Sequence, residues 1–391
     1  MAVVLAVEVP EEVGNDNLIT LMKKIIILFS LFLNTGFLYS QHNDSTRLTI
    51  VFAGDIMGHI PQVSAAYDSA FGGYNYEPSF RFIKPYIDSA DLAIANLEVT
   101  LGGTPYSGYP QFSSPDELAY DLKNTGFKIL VMANNHCYDK GKKGFQRTLA
   151  ILDSIGIPHL GTYKDSVQRS QFYPFVIEKK GIRIALLNYT YGTNGLVPEK
   201  PNIVNYISKP IIAADLAKAK SLKVDCIIAV MHWGKEYELR PNKDQIDIAK
   251  FLVKHGCNVI IGSHPHVVQT FEIIYPDTTD SLHFVPIFYS LGNLISNQRD
   301  RYRDGGAMFN ITLEKTDAKT RIVDYGYLPY WVYRGVLKKR YQYYVVPTRL
   351  NICQPDTFNL HSEDSLHIQE FDADIHQQLI NLKESEFFKC K

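Results

Sequence analysis

Short apolar, β-rich runs recur along this chain, and five of them stop at a small polar motif. Runs at 48–53, 91–95, 128–133, 224–231 and 258–261 end in Gly54-Asp55, Asn96-Leu97-Glu98, Asn134-Asn135-His136, His232-Trp233-Gly234 and Gly262-Ser263-His264-Pro265-His266, respectively. Segments with helical spacing lie between them, at 79–89, 116–124, 144–154, 211–221 and 244–255. Strand–helix alternation of this kind predicts parallel β-α-β units. In open α/β sheets, ligands bind outside the carboxyl ends of the strands. The five motifs are therefore expected at one sheet edge. There, Asp, Glu, Asn and His side chains far apart in sequence can converge on two divalent cations.

The rest of the chain has a different texture. Residues 175–178 and 182–189 flank Lys179-Lys180-Gly181, a hairpin signal. After His266 come β-rich runs at 267–274, 284–290, 307–313 and 320–327, which read as a second, mostly antiparallel set. From about residue 328 the sequence is aromatic and basic, then polar, and 331–391 reads as a C-terminal extension of a domain spanning 42–330. Residues 22–41 (MKKIIILFSLFLNTGFLYSQ) have two lysines, an apolar stretch, then small and polar residues. That is the pattern of a secretory signal peptide. Its uninterrupted apolar run, 25–33, falls short of the roughly 20 residues that span a bilayer. The expectation is export to the periplasm or cell surface, with Met22 as initiator and residues 1–41 outside the fold. The alternative is an uncleaved N-terminal anchor.

A formal net charge of -1 leaves no basic footprint for nucleic acid. The five cysteines show neither metal-knuckle spacing nor a paired framework, and Cys226 and Cys257 sit in apolar runs as expected of buried thiols.

Each motif has a chemical and a structural reading. Asp55 offers a carboxylate to a hard or borderline cation, or caps the next helix. Glu98 can bridge two metals roughly 3.5–4 Å apart, or lie in a solvated loop. Asn135 can bind a metal through its amide oxygen, and the neighbouring His136 can give a proton to a leaving oxygen, oriented by Asp139. Tandem Asn residues are also turn formers. His232 ends a buried-looking strand, where a histidine is either a ligand or a satisfied core residue. His264 and His266, separated by a stiff proline, can aim their rings at neighbouring metals, and imidazole suits Zn, Fe and Mn. His59 reads as a ligand or an exposed loop residue. Asn293 either orients a ligand or ends a strand in a turn.

The ordered set Gly-Asp, Asn-Leu-Glu, Ala-Asn-Asn-His, His-Trp-Gly, Gly-Ser-His-Pro-His, Leu-Gly-Asn resembles the CapA family of bacterial capsule-synthesis proteins, within the calcineurin-like metallophosphatase superfamily, over residues 48–297. The resemblance implies a four-layer α/β/β/α sandwich and a connection with poly-γ-glutamate or another surface polymer. It implies that Asp55, Glu98, Asn135, His232, His264 and His266 ligate two divalent metal ions (Mn, Fe or Zn), with His136 as general acid. An anionic polymer or phosphoester substrate and membrane partners of capsule synthesis follow as expectations. The chain departs from the wider superfamily in two places. Met57 stands where Gly-Asp-x-His has its histidine, unless His59 replaces it, and Glu98 stands for a bridging Asp. Cys137, directly after His136, could add a soft ligand or an oxidation-sensitive thiol.

Overall fold

The computed structural model describes residues 45–389 except 71, 318, 338–339 and 350–361. The expected signal peptide, Cys353 and Cys390 lie outside the described residues. In chain order the strands of the two main sheets are β1 (Thr46–Ile56), β2 (Leu92–Leu97), β3 (Ile129–Val131), β4 (His159–Leu160), β5 (Phe175–Lys179), β6 (Ile182–Thr190), β7 (Cys226–His232), β8 (Val259–Ser263), β9 (Phe271–Ile274), β10 (Val285–Phe288), β11 (Asn293–Ile295), β12 (Gly305–Lys315), β13 (Thr320–Leu337) and β14 (Arg340–Pro347). The helices that matter below are α1 (Ile60–Ala66), α2 (Glu117–Thr125), α3 (Gly141–Ile155), α4 (Lys209–Ser221), α5 (Lys243–Lys254) and α6 (Ser362–Gln378).

Sheet 1 has the order β14-β13-β12-β1-β2-β3-β4, with β11 paired to the end of β1. Its β1-β2-β3-β4 half is parallel, and β12, β13 and β14 add antiparallel strands on the other side of β1. Sheet 2 has the order β9-β10-β8-β7-β6-β5. Its four inner strands are parallel and its two edges antiparallel. The β5–β6 hairpin turns at Lys180 and Gly181, both at positive φ (51° and 71°), the backbone a tight two-residue turn requires.

Alternation along the strands explains the layering. Leu48, Ile50 and Phe52 of β1 join the core shared with sheet 2, whereas Val51 and Ala53 join a second core with Leu118 and Leu122 of α2 and Leu152 of α3. Strand β2 divides in the same way, Leu92 and Ile94 against Ala93 and Ala95. A strand with both faces buried gains about 1.5–3 kcal/mol per large apolar side chain on each side. Ile212 and Leu216 of α4 and Ala249 and Leu252 of α5 cover sheet 2. The result is a four-layer α/β/β/α sandwich, the fold class expected. Helix α5 is started by a capping box of Asn242 and Gln245, and α3 is stopped by Gly156 at φ 64°.

Two expectations need correction. The β-rich stretch after His266 is not a separate antiparallel set. Strands β9 and β10 extend sheet 2, with β10 parallel to β8, while β12 and β13 extend sheet 1 beside β1. The boundary placed at residue 330 falls inside β13, where Tyr330 pairs with Gly306 and Trp331 with Gly305. The rest of β13 and β14 complete sheet 1, and Phe371 and Ile375 of α6 pack into the shared core. Strand pairing is a long-range property that a β-rich run does not encode, so neither the grouping of these strands nor the end of the domain can be read from it.

Candidate metal centre

The C-terminal ends of β1, β2, β7 and β8 meet at one edge, and two glycines permit the close approach. A Cβ on Gly54 would lie 2.0 Å from the carbonyl oxygen of Gly292, and one on Gly262 would lie 1.8 Å from that of Tyr289. The chain at 289–293 therefore runs directly against the ends of β1 and β8.

Asp55 and Glu98 are both fully buried. Asn96 Nδ2 lies between them, donating to Asp55 Oδ1 at 2.7 Å and to Glu98 Oε2 at 3.3 Å. The backbone N–H of His264 donates to Asp55 Oδ2 at 3.1 Å. Two triads result, Asp55–Glu98–His232 and Glu98–His264–His266, each with its candidate ligand atoms within 4.8 Å of one another. Glu98 belongs to both. Its Oε1 lies 3.5 Å from His232 Nε2 and 3.8 Å from His266 Nε2, and it accepts no hydrogen bond. His264 Nδ1 is likewise buried without a partner. An orphaned buried carboxylate oxygen is costly unless something else satisfies it. Orphaned ligand atoms among carboxylates and imidazoles suit a divalent cation. Asn135 Oδ1 sits 2.7 Å from His232 Nε2 and so reaches the first triad.

The electrostatics agree with that chemistry. Burial, then the neighbouring Asp55, pushes the Glu98 carboxyl well above the usual carboxylate range. Burial, reinforced by the other imidazoles, holds His232 well below its ordinary value and His264 down to about 3. Neutral imidazoles are the form that ligates metals. A bound cation reverses the local balance in favour of the ionised carboxylate.

A second layer of polar groups orients the rings. His232 Nδ1 is 2.9 Å from Ser263 Oγ, and His266 Nδ1 is 3.0 Å from Asn293 Oδ1. The Asn293 amide is itself held, its Nδ2 donating to Gln298 Oε1 at 2.9 Å and to the Arg303 carbonyl at 2.8 Å. With Nδ1 of His266 donating to Asn293 Oδ1, its Nε2 is left for a ligand, whereas His232 Nε2 faces Asn135 Oδ1.

His136 occupies the loop after β3. Its Nδ1 is 2.8 Å from Asp139 Oδ2, which also accepts the Phe112 backbone N–H at 2.7 Å. The Phe112 ring meets the imidazole edge-on at 4.7 Å. The pair is buried, and the contact with Asp139 engages Nδ1 rather than Nε2.

The residues flanking the motifs take other parts. Met57 is buried in the core beneath sheet 1. His59 lies outside both triads and caps α1, its Nδ1 3.0 Å from Gln62 Oε1, with burial lowering its pKa to about 4. Cys137 packs with Tyr138, Phe145 and Leu149, and burial pushes its thiol up to about 12. Its neighbours are therefore apolar rather than metal ligands. Asn96, Ser263, Asn194 and Tyr191 received no role from the sequence. Asn194 accepts from Asn135 Nδ2 at 3.2 Å, and the Tyr191 ring lies 4.5 Å from that of His264. Adjacency to Glu98 at a strand end was a usable signal for Asn96. The loop residues carry none. A third His–carboxylate group, Asp372–His376–Glu384, is engaged by Arg349, whose Nη2 lies 2.8 Å from Glu384. It reads as an ion-pair network.

Comparison with known proteins fits this geometry. The family described as "Bacterial capsule synthesis protein PGA_cap" matches residues 49–298. The chain is 29% identical over 274 residues to the capsule biosynthesis protein CapA of Bacillus anthracis, covering 66% of this chain and 62% of that protein. It is 27% identical over 261 residues to the PGA biosynthesis protein CapA of Bacillus subtilis (strain 168), covering 64% of each. The chain thus spans less than two thirds of the length of these relatives. Among solved structures, the calcineurin-like phosphoesterase YfkN from Bacillus subtilis aligns with a TM-score of 0.43 at 13% identity, covering 85% of this chain and 98% of that one. Order of motifs, convergence of their side chains and the family match agree: the chain belongs to the bacterial capsule synthesis family PGA_cap.

Proposed function

We propose that this is an exported, metal-dependent hydrolase acting in the synthesis or processing of a capsule or other anionic surface polymer. The observation that carries the proposal is Glu98 Oε1, buried, without a hydrogen bond and common to both triads. Asp55, Glu98, Asn135 and His232 would hold one divalent cation, and Glu98, His264 and His266 the other, Mn, Fe or Zn by ligand type. When bound, such ions polarise a substrate oxygen and make water acidic enough to act as a nucleophile near neutral pH. The protein's own residues do the rest. Asn96 fixes the two carboxylates by donating to both, Ser263 and Asn293 hold the imidazoles, and His136, set by Asp139, delivers a proton to the leaving oxygen. Substrates are a phosphoester, or the amide of a γ-linked glutamate polymer. Partners are the polymer and the membrane proteins of capsule assembly.

A second reading, a non-catalytic polymer-binding or export accessory protein, draws on the names of the two Bacillus relatives, both biosynthesis proteins. Elemental analysis and turnover separate the readings. The Mn²⁺-loaded chain should contain two equivalents of metal, reduced in Glu98→Ala, and should hydrolyse a generic phosphodiester or poly-γ-glutamate. His136→Ala should keep the metal and lose the turnover. Metal-dependent polymer binding without turnover on either substrate favours the accessory role. Unchanged metal content in Glu98→Ala sinks the site itself.

A further inference from the structure

One wall of the metal centre carries features that ligation does not explain. Tyr237 is 44% exposed yet sits at φ 68°, a left-handed backbone that bulky residues rarely adopt. Burial does not compensate that strain. Its backbone N–H donates to the Pro265 carbonyl at 2.8 Å, within the His264-Pro265-His266 turn. Its ring centroid lies 6.2 Å from that of His266. The Arg303 guanidinium lies over the same ring, with Cζ 4.2 Å from the centroid. Arg303 is anchored through its carbonyl, which accepts from the Asn293 amide that also holds His266. Gln298 bonds both Asn293 and the Tyr237 hydroxyl, the latter at 3.4 Å. A strained exposed tyrosine and a stacked arginine are thus tied by backbone bonds to the turn that carries two ligands. Strain retained beside a site is a functional signal. The other partner of Arg303 is Asp300, three residues earlier and 74% exposed. Arg303 itself is 24% exposed, and a pair with so solvated a carboxylate contributes little, which leaves the guanidinium open to another anion. Arg303 also lies beyond the residues 49–298 that the family shares.

We propose that Tyr237 and Arg303 form a subsite for a second anionic group of the substrate, the carboxylate or phosphate on the unit next to the one held at the metal centre. The planar guanidinium, stacked on the ring, presents its remaining N–H donors to such an oxyanion. Asp300 would be displaced as the anion enters. This rests on the reading of the site as one that acts on an acidic polymer.

The test is isothermal titration of the Mn²⁺-loaded full chain with a short γ-linked glutamate oligomer, a short glycerol-phosphate oligomer, and inorganic phosphate as a probe of the centre alone. Arg303→Gln should weaken binding of one oligomer by about 10- to 100-fold, leaving Mn²⁺ content and phosphate affinity unchanged. Which oligomer responds identifies the anion. Arg303→Lys keeps the charge without the planar stack and should fall between, and Tyr237→Ala should resemble Arg303→Gln. Wild-type affinity for both oligomers in Arg303→Gln, or no binding of either by the wild-type chain, overturns the subsite. Loss of Mn²⁺ or phosphate affinity in parallel also overturns it, by placing Arg303 in support of Asn293. Turnover of a phosphodiester lacking a second charge is measured separately, so the hydrolase can fail while the subsite stands, and the reverse.

Discussion

His136 and Asp139 illustrate how much of the chemistry rests on single contacts. With Asp139 occupying Nδ1, the imidazole has one orientation and one free nitrogen. On the proposed mechanism, His136→Ala should lower kcat on an alkyl phosphodiester by about 10²- to 10⁴-fold. A p-nitrophenyl ester should suffer less, because its leaving group departs without a proton. Steady-state kinetics on the two esters checks this. Asn293→Ala should cost about 10- to 100-fold in metal affinity, the usual effect of removing an orienting partner, read by titration against a chelator. Away from the site, the Asp121 carboxylate accepts the Tyr76 backbone N–H at 2.6 Å, and burial raises its pKa to about 6. The folded chain therefore keeps this proton up to about pH 6, whereas the unfolded chain releases it near the ordinary 3.8. Stability should fall as pH rises from about 4 to about 6 and stay lower above that. Asp121→Asn keeps the acceptor and removes the charge, so it should stabilise by roughly 1–2 kcal/mol at pH 8 and by nothing measurable at pH 4, by urea unfolding. At this scale the charged residues were legible, because carboxylates and imidazoles at strand ends are conspicuous. Asn96, Ser263 and Asn194 were not, because amides and hydroxyls are common in turns and their role exists only through contacts.

Strands and helices were legible to within a few residues wherever the periodicity was local. The helices at 116–124 and 244–255 correspond to α2 and α5, and the hairpin around Lys180-Gly181 to β5 and β6. The region 79–89 shows the limit. Its apolar spacing predicted one helix, but Pro85 and the entry at Glu77-Pro78 divide it into the short helices Glu77–Phe80 and Lys84–Asp88. Beyond the shared edge of the strand ends, contacts between elements were invisible beforehand, and Gly262 shows their weight. Gly262→Ala would place a methyl 1.8 Å from the Tyr289 carbonyl oxygen and 2.6 Å from Trp233 Nε1, forcing β8 away from the chain at 289–291. A loss of about 2–4 kcal/mol is expected. Gly192, where an added Cβ meets nothing within 4 Å, should tolerate alanine to within about 0.5 kcal/mol. Denaturation midpoints of the two variants make the comparison.

The order of strands within each sheet was the least legible level. Parallel pairing among β1, β2 and β3 followed from the alternation, but nothing local showed that β12 returns to β1 from more than 200 residues away and brings β13 with it. A chain ending at residue 330 keeps everything once assigned to the main domain. It nevertheless loses the last seven residues of β13, all of β14, and the buried Trp331, Val332, Val345 and Val346. It should fail to give a cooperative thermal transition, followed by near-UV circular dichroism. The same architecture divides the site. Sheet 1 and its loops bring Asp55, Glu98 and Asn135, whereas sheet 2 and its loops bring His232, His264 and His266. On the proposed ligation, neither half supplies all the ligands of either cation. An ion held as proposed would act as a rivet across the seam: it would be captured only once the halves have docked, and whatever free energy it released would tighten their docking by the same amount.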